Sequence, residues 1–173
     1  MKKIFVVAAF TLFGFVNINA QDAISGGQTD EGSWLIEANT GFGTPIGANT
    51  SFGLLSVDGT TIWSLGAEGG YFVADDLAIK LGLGYTDQGV GIFSYKIGAK
   101  YYISGMIPIQ VDYTGASIND ADVSLNFIGL QGGYAIFLGD NVSIEPGFRY
   151  NLTLDDALAE SALQFNIGFA LHF

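Results

Sequence analysis

The sequence contains no cysteine, a single histidine and only six lysines and arginines in 173 residues. The missing cysteine excludes a lipid anchor on a thiol, disulfide staples and thiolate metal sites together. One histidine leaves no metal-spaced pair, and no complete Gly-rich phosphate loop occurs; Gly82-Leu83-Gly84 lies within a strand pattern. Beyond the N-terminal region no apolar run approaches the ~20 residues that a membrane-crossing helix needs. The 17 acidic residues outweigh the basic ones and argue against nucleic-acid binding.

What the chain has instead is apolar residue content, 49% of the total, with only 13% charged. Met1-Lys2-Lys3 followed by Ile4-Phe5-Val6-Val7-Ala8-Ala9-Phe10 is a basic region joined to an apolar one. With Ala20 before Gln21 it reads as a secretory signal peptide over residues 1–20. Residues 21–32 read as a short polar tail and 33–173 as one domain. An exported chain without staples must draw its stability from a large sheet.

From Gly32 onward, apolar and polar residues alternate with period two, which places successive side chains on opposite faces of a strand. Eight such segments follow. Trp34, Ile36 and Ala38 oppose Glu37 and Asn39; Trp63 to Val73 carries Glu68 on the polar face; Leu77 to Tyr85 carries Lys80. Phe93 to Ile103 carries Lys96 and Lys100, Ile107 to Tyr113 carries Asp112, and Leu130 to Leu138 carries Gln131. Val142 to Leu152 carries Glu145 and Arg149, and Leu163 to Phe173 carries Gln164, Asn166 and His172. Leu125-Asn126-Phe127 has the opposite parity to the strand after it, so a bulge is expected near Ile128-Gly129. Pro146, which cannot donate to a ladder, predicts a second bulge. Tight turns at 74–76, 104–106 and 139–141 alternate with longer links, the longest over 44–61.

The fold class is therefore all-β: an eight-stranded antiparallel up-and-down transmembrane barrel. Volume decides which face is outside. An eight-stranded barrel is just wide enough for its own interior side chains. Leu, Ile, Phe, Tyr and Trp on one face of every strand are too bulky for it, whereas Gly, Ser, Ala, Thr and Asn with scattered charges fit. A soluble periplasmic ligand-binding barrel would need the reverse. Outward aromatics also fall in two groups, Phe42, Trp63, Tyr85, Phe93, Tyr113, Tyr150 and Phe165 at one rim, and Trp34, Tyr71, Tyr101, Tyr134 and Phe173 at the other, as interfacial girdles do.

With its signal peptide, eight alternating strands and terminal Phe165-Asn166-Ile167-Gly168-Phe169-Ala170-Leu171-His172-Phe173, the chain resembles the outer-membrane β-barrel domain family of Gram-negative bacteria. The resemblance covers essentially all of the mature chain. It implies residence in the outer membrane with both termini periplasmic, contact with lipid and lipopolysaccharide, and delivery by the barrel-assembly machinery. It also implies that Phe165, Ile167, Phe169, Leu171 and Phe173 form the C-terminal assembly signal. The family hosts many roles, so it implies no particular activity.

Loss of Lys2 and Lys3 with the signal peptide leaves four basic residues, Lys80, Lys96, Lys100 and Arg149, all on the inward face. Four acids, Glu37, Glu68, Asp112 and Glu145, share that face. A basic residue facing lipid at the midplane costs ~2–4 kcal/mol, so the lumen is the cheaper place for each. Equal numbers of opposite charges predict a paired network that plugs the barrel, with Glu68–Lys80 and Lys100–Asp112 as cross-strand pairs; a narrow channel for small solutes or apolar molecules is the alternative. The other thirteen acids lie in the tail, turns and loops. Asp58, Asp87, Asp120, Asp122, Asp155, Asp156 and Glu160 are expected outside, and carboxylates there are hard ligands for bridging divalent cations. His172 points inward beside the C-terminus, at the wrong end for an outer-rim hydrolase. No enzyme, no cofactor and no metal site is expected.

Overall fold

The computed structural model describes residues 27–42, 52–57, 60–119 and 123–173. The signal-peptide assignment, most of the 44–61 link, the side chain of Phe42, and Asp58, Asp120 and Asp122 lie outside these residues. The strands are β1 (Trp34–Phe42), β2 (Gly53–Val57), β3 (Thr60–Ala74), β4 (Leu77–Asp87) and β5 (Gly91–Ile103). They continue with β6 (Ile107–Ile118), β7 (Val123–Gly133), β8 (Ile136–Phe137), β9 (Val142–Thr153) and β10 (Ala162–His172).

Antiparallel ladders run in the order β1-β10-β9-β7-β6-β5-β4-β3, and β1 also pairs with β3, so the sheet closes on itself. Closure leaves no strand edge along the wall, which is what a spanning sheet needs where no water can satisfy its backbone. The wall has eight strands, because β8 continues the line of β7 and β2 is an added strand that pairs only with the start of β3. β2 lies within the 44–61 link, where the alternation predicts no strand.

Period-two alternation persists through every wall strand. Leu81, Leu83, Ile97, Ile109, Leu130, Phe148 and Phe169 project outward and are about half exposed or more, while their chain neighbours are buried or half-buried on the inside. Ring pairs brace the outer surface at both ends: Trp34 with Tyr71 at 5.0 Å between centroids, and Trp63 with Tyr85 at 5.4 Å. The bulk of the large apolar side chains thus coats the outside of the barrel wall, the opposite of a soluble ligand-binding barrel.

Neither expected bulge forms. β7 pairs with β6 in one continuous register from Val123↔Ile118 to Gly132↔Ile109, so nothing resets the parity at Ile128-Gly129. Leu125 and Phe127 accordingly point inward and are buried. At Pro146 the register on either side is also unbroken: Gly133↔Gly147 and Ile136↔Ile144 belong to the same alignment. Pro146 still accepts from the Tyr134 amide at 3.0 Å but has no N–H to return, and the ladder lapses there, dividing β7 from β8. A bulge does occur at Val73, where Phe72 and Ala74 pair with the adjacent Ala78 and Leu77.

Candidate functional site: a lumen lined in three layers

Inward positions at the short-turn end form an apolar layer of Leu35, Phe72, Ala78, Tyr102, Ala135 and Ala170, with Phe137 packed against it. His172 stands among its rings, 5.5 Å from Phe137, 6.2 Å from Tyr102 and 6.4 Å from Phe72 between centroids. Inward positions toward the long-loop end form another apolar layer of Ile92, Ala116, Leu125 and Phe127, joined by Ile118, Val123 and Ala159. Leu125 and Phe127 reach this layer because β7 keeps its parity.

Between these layers lie all eight charges expected in the lumen. Glu37, Glu68, Lys80, Lys96, Lys100, Asp112, Glu145 and Arg149 are each at most 4% exposed. Lys80 Nζ lies 2.6 Å from Glu37 Oε2 and 2.8 Å from Glu68 Oε2, and also donates to Gln110 Oε1 at 2.9 Å. Lys96 pairs with Glu68 at 2.7 Å. Lys100 pairs with Glu37 at 2.8 Å and with Glu145. Arg149 donates from both terminal nitrogens to Asp112, 2.6 Å each, a bidentate arrangement that fixes both planes. Four positive and four negative side chains make the layer formally neutral.

The Glu68–Lys80 contact is present, whereas the expected Lys100–Asp112 pair is replaced. Lys100 stands opposite Gln110 in the β5–β6 register, and Asp112 stands opposite Gly98. A lumen only a few side chains wide lets the lysine reach across to β1 and β9, while Arg149 from β9 occupies Asp112. Cross-strand adjacency was the wrong guide, because the shortest path between two inward charges crosses the interior.

Polar neutral residues complete the layer. Asn39 donates to Glu37 at 2.7 Å and to Glu68 at 3.2 Å; Gln110 and Thr114 donate to Asp112 at 2.7 and 2.9 Å. Tyr102 Oη donates to Glu145 at 2.8 Å, and Arg149 Nε donates to Asn151, which donates on to Gln164, 2.7 Å each. Their parity was the available signal. Glycine supplies the remaining room: a Cβ on inward Gly129 would stand 1.9 Å from an Arg149 terminal nitrogen, and one on Gly98 would stand 2.4 Å from Asp112 Cβ.

His172 Nε2 lies 3.0 Å from Ser143 Oγ, which donates to Glu145 Oε1 at 3.0 Å, and Nδ1 lies 3.1 Å from the Gln28 carbonyl. These contacts hold the buried ring in place; the hydroxyl beside it is held by a carboxylate and fully buried. Among the described residues no group of three or more His, Cys, Asp or Glu side chains is arranged to hold a metal ion. Phe165, Phe169 and Leu171 project from the outer face of β10, Ile167 shares that face half-buried, and Phe173 exchanges backbone bonds of 2.6 and 3.0 Å with Trp34.

No protein-family model and no curated protein matches this sequence. Solved structures do match the fold. The N-terminal β-barrel domain of Pseudomonas aeruginosa OprF aligns over 83% of this chain and 98% of its own, with a TM-score of 0.58 at 16% identity. Neisserial surface protein A aligns over 83% and 100%, with a TM-score of 0.51 at 15% identity. A de novo designed transmembrane β-barrel aligns over 83% and 98%, with a TM-score of 0.50 at 15% identity. With its closed eight-stranded wall, apolar exterior and polar interior, the chain has the fold of the small outer-membrane β-barrels.

Proposed function

We propose that this protein resides in the outer membrane as an integral barrel with a structural, accessory or surface-contact role, and that it neither catalyses nor conducts. The observation that supports this reading is the lumen's lining: a formally neutral layer of charges, each ion-paired, drawn from six strands and lying between two apolar layers. An ion entering from either end would have to leave water, cross an apolar layer and then break buried pairs whose separation strands a charge. The apolar outer wall takes lipid and the lipid part of lipopolysaccharide as its surroundings. Short turns and both termini face the periplasm in this reading, and the longer links face outward. The outward side chains of β10 serve the assembly machinery, and no nucleic acid or cofactor is involved.

Conductance of the purified, refolded protein in a planar bilayer tests this. We expect no unitary current steps. Reproducible steps whose size changes in Lys100→Met would assign the protein to narrow channels instead.

A further inference from the structure

Residues 27–33 are held against the short-turn end of the barrel by hydrogen bonds to several of its elements. Two successive turns fold this segment, with the Asp30 amide donating to Gly27 and the Ser33 amide to Asp30, and Gly32 turns the chain at φ +93°. The segment then spans the short-turn mouth. On one side the Asp76 amide donates to the Thr29 carbonyl at 2.7 Å, Thr29 Oγ1 donates to Asp76 Oδ1 at 2.5 Å, and the Glu31 amide donates to Asp75 at 3.1 Å. On the other, the Gln28 side chain donates to the Gly139 carbonyl. Between them the Gln28 carbonyl meets His172 Nδ1, and Gly32 and Ser33 exchange 2.9 Å backbone bonds with Phe72.

Four independent attachment points, on the β3–β4 turn, the β8–β9 turn, β3 and β10, exceed what a solvated tail needs. Thr29 and Ser33 are buried by them, and so are Phe72 and His172 beneath. We propose that residues 27–33 form a strap that seals the short-turn mouth over His172, and that loosening it exposes this end of the lumen while the barrel wall stays closed. The seal separates two functions of the interior: the charged layer holds the strands in place, and the strap keeps water off the apolar layer below it. The inference rests on the filled lumen but is silent on transport, so bilayer conductance and the experiment below fail separately.

His172 is the only histidine, which makes its acylation by diethyl pyrocarbonate a site-specific readout, followed by mass spectrometry. In the folded parent barrel in detergent it should react at least about tenfold more slowly than in the urea-unfolded chain. Gly32→Val should recover most of that reactivity. The added side chain meets nothing within 4 Å of its Cβ, and so acts only through the strained backbone of the strap. A chain shortened to remove residues 21–31 should do the same, and both variants should keep the gel shift of a closed barrel. Hydrogen exchange needs no variant: the Asp76 amide should be protected alongside the strands. Parent His172 reacting at the unfolded rate, an unprotected Asp76 amide, or folded variants as protected as the parent would each overturn the proposal.

Discussion

Glu37 and Glu68 stand directly opposite one another in the β1–β3 ladder, the seam that closes the barrel, and Lys80 lies between their carboxylates. Like charges in facing positions oppose pairing. Here the repulsion is converted into a clamp, because a lysine from β4 and another from β5, Lys100, reach the same two acids or their neighbours. The seam has only four paired positions, against eight between β1 and β10, so side-chain bonding across it carries more weight than elsewhere.

Lys80→Met should therefore lower the stability of the folded barrel by ~3–5 kcal/mol, the cost of leaving buried carboxylates without their cation. Adding Glu68→Gln should restore part of the loss. It cannot restore all, because Glu37 also loses a partner and keeps only Lys100 and Asn39. Urea unfolding in detergent, followed by tryptophan fluorescence, reads both variants; strictly additive losses would dissolve the clamp.

Gly129→Ala should cost ~1–3 kcal/mol through overpacking, since the new methyl collides with the guanidinium that Asp112 holds in place. The same substitution in an Arg149→Met background should cost little. A double-mutant cycle on unfolding midpoints measures the coupling, and a Gly129→Ala penalty that ignored Arg149 would place its cause in strand propensity instead.

Leu81 is 62% exposed in the middle of β4, facing away from the lumen. On a protein surrounded by water, Leu81→Arg would be nearly neutral. Facing hydrocarbon it should cost ~2–4 kcal/mol, falling toward zero at the rims. Refolding into lipid vesicles, with unfolding free energies for Leu81→Arg beside Leu163→Arg near the long-loop end, reads this depth dependence directly.

Because the ladder closes, the unboiled protein should migrate differently from the boiled protein on a denaturing gel, with no edge from which detergent can peel a strand. Processing supplies a second readout on the same sample: the N-terminal residue of protein from outer-membrane fractions should be Gln21. A soluble periplasmic product would refute the assignment to the membrane.

The eight wall strands and the side most of their residues face were legible along the chain, β2 and the Leu125–Phe127 stretch apart, because alternation is a local property and a one-residue slip would turn lysines to lipid. Lumen membership of Glu37, Glu68, Lys80, Lys96, Lys100, Asp112, Glu145 and Arg149 followed from parity alone. Which of them bond to which did not, for distance across a narrow interior is set by shear and strand tilt, and neither is written in any single strand. Lys100 found Glu37 and Glu145 rather than Asp112 for that reason. Leu125 and Phe127 misled in the same way: taken alone their parity implied a bulge, whereas in the closed barrel a regular β7 gives them an apolar layer to enter. The segment at 27–33 has no periodicity, only turn residues and polar groups. Its place over the mouth depends on Phe72, Asp75, Asp76, Gly139 and His172, which only barrel closure brings around it.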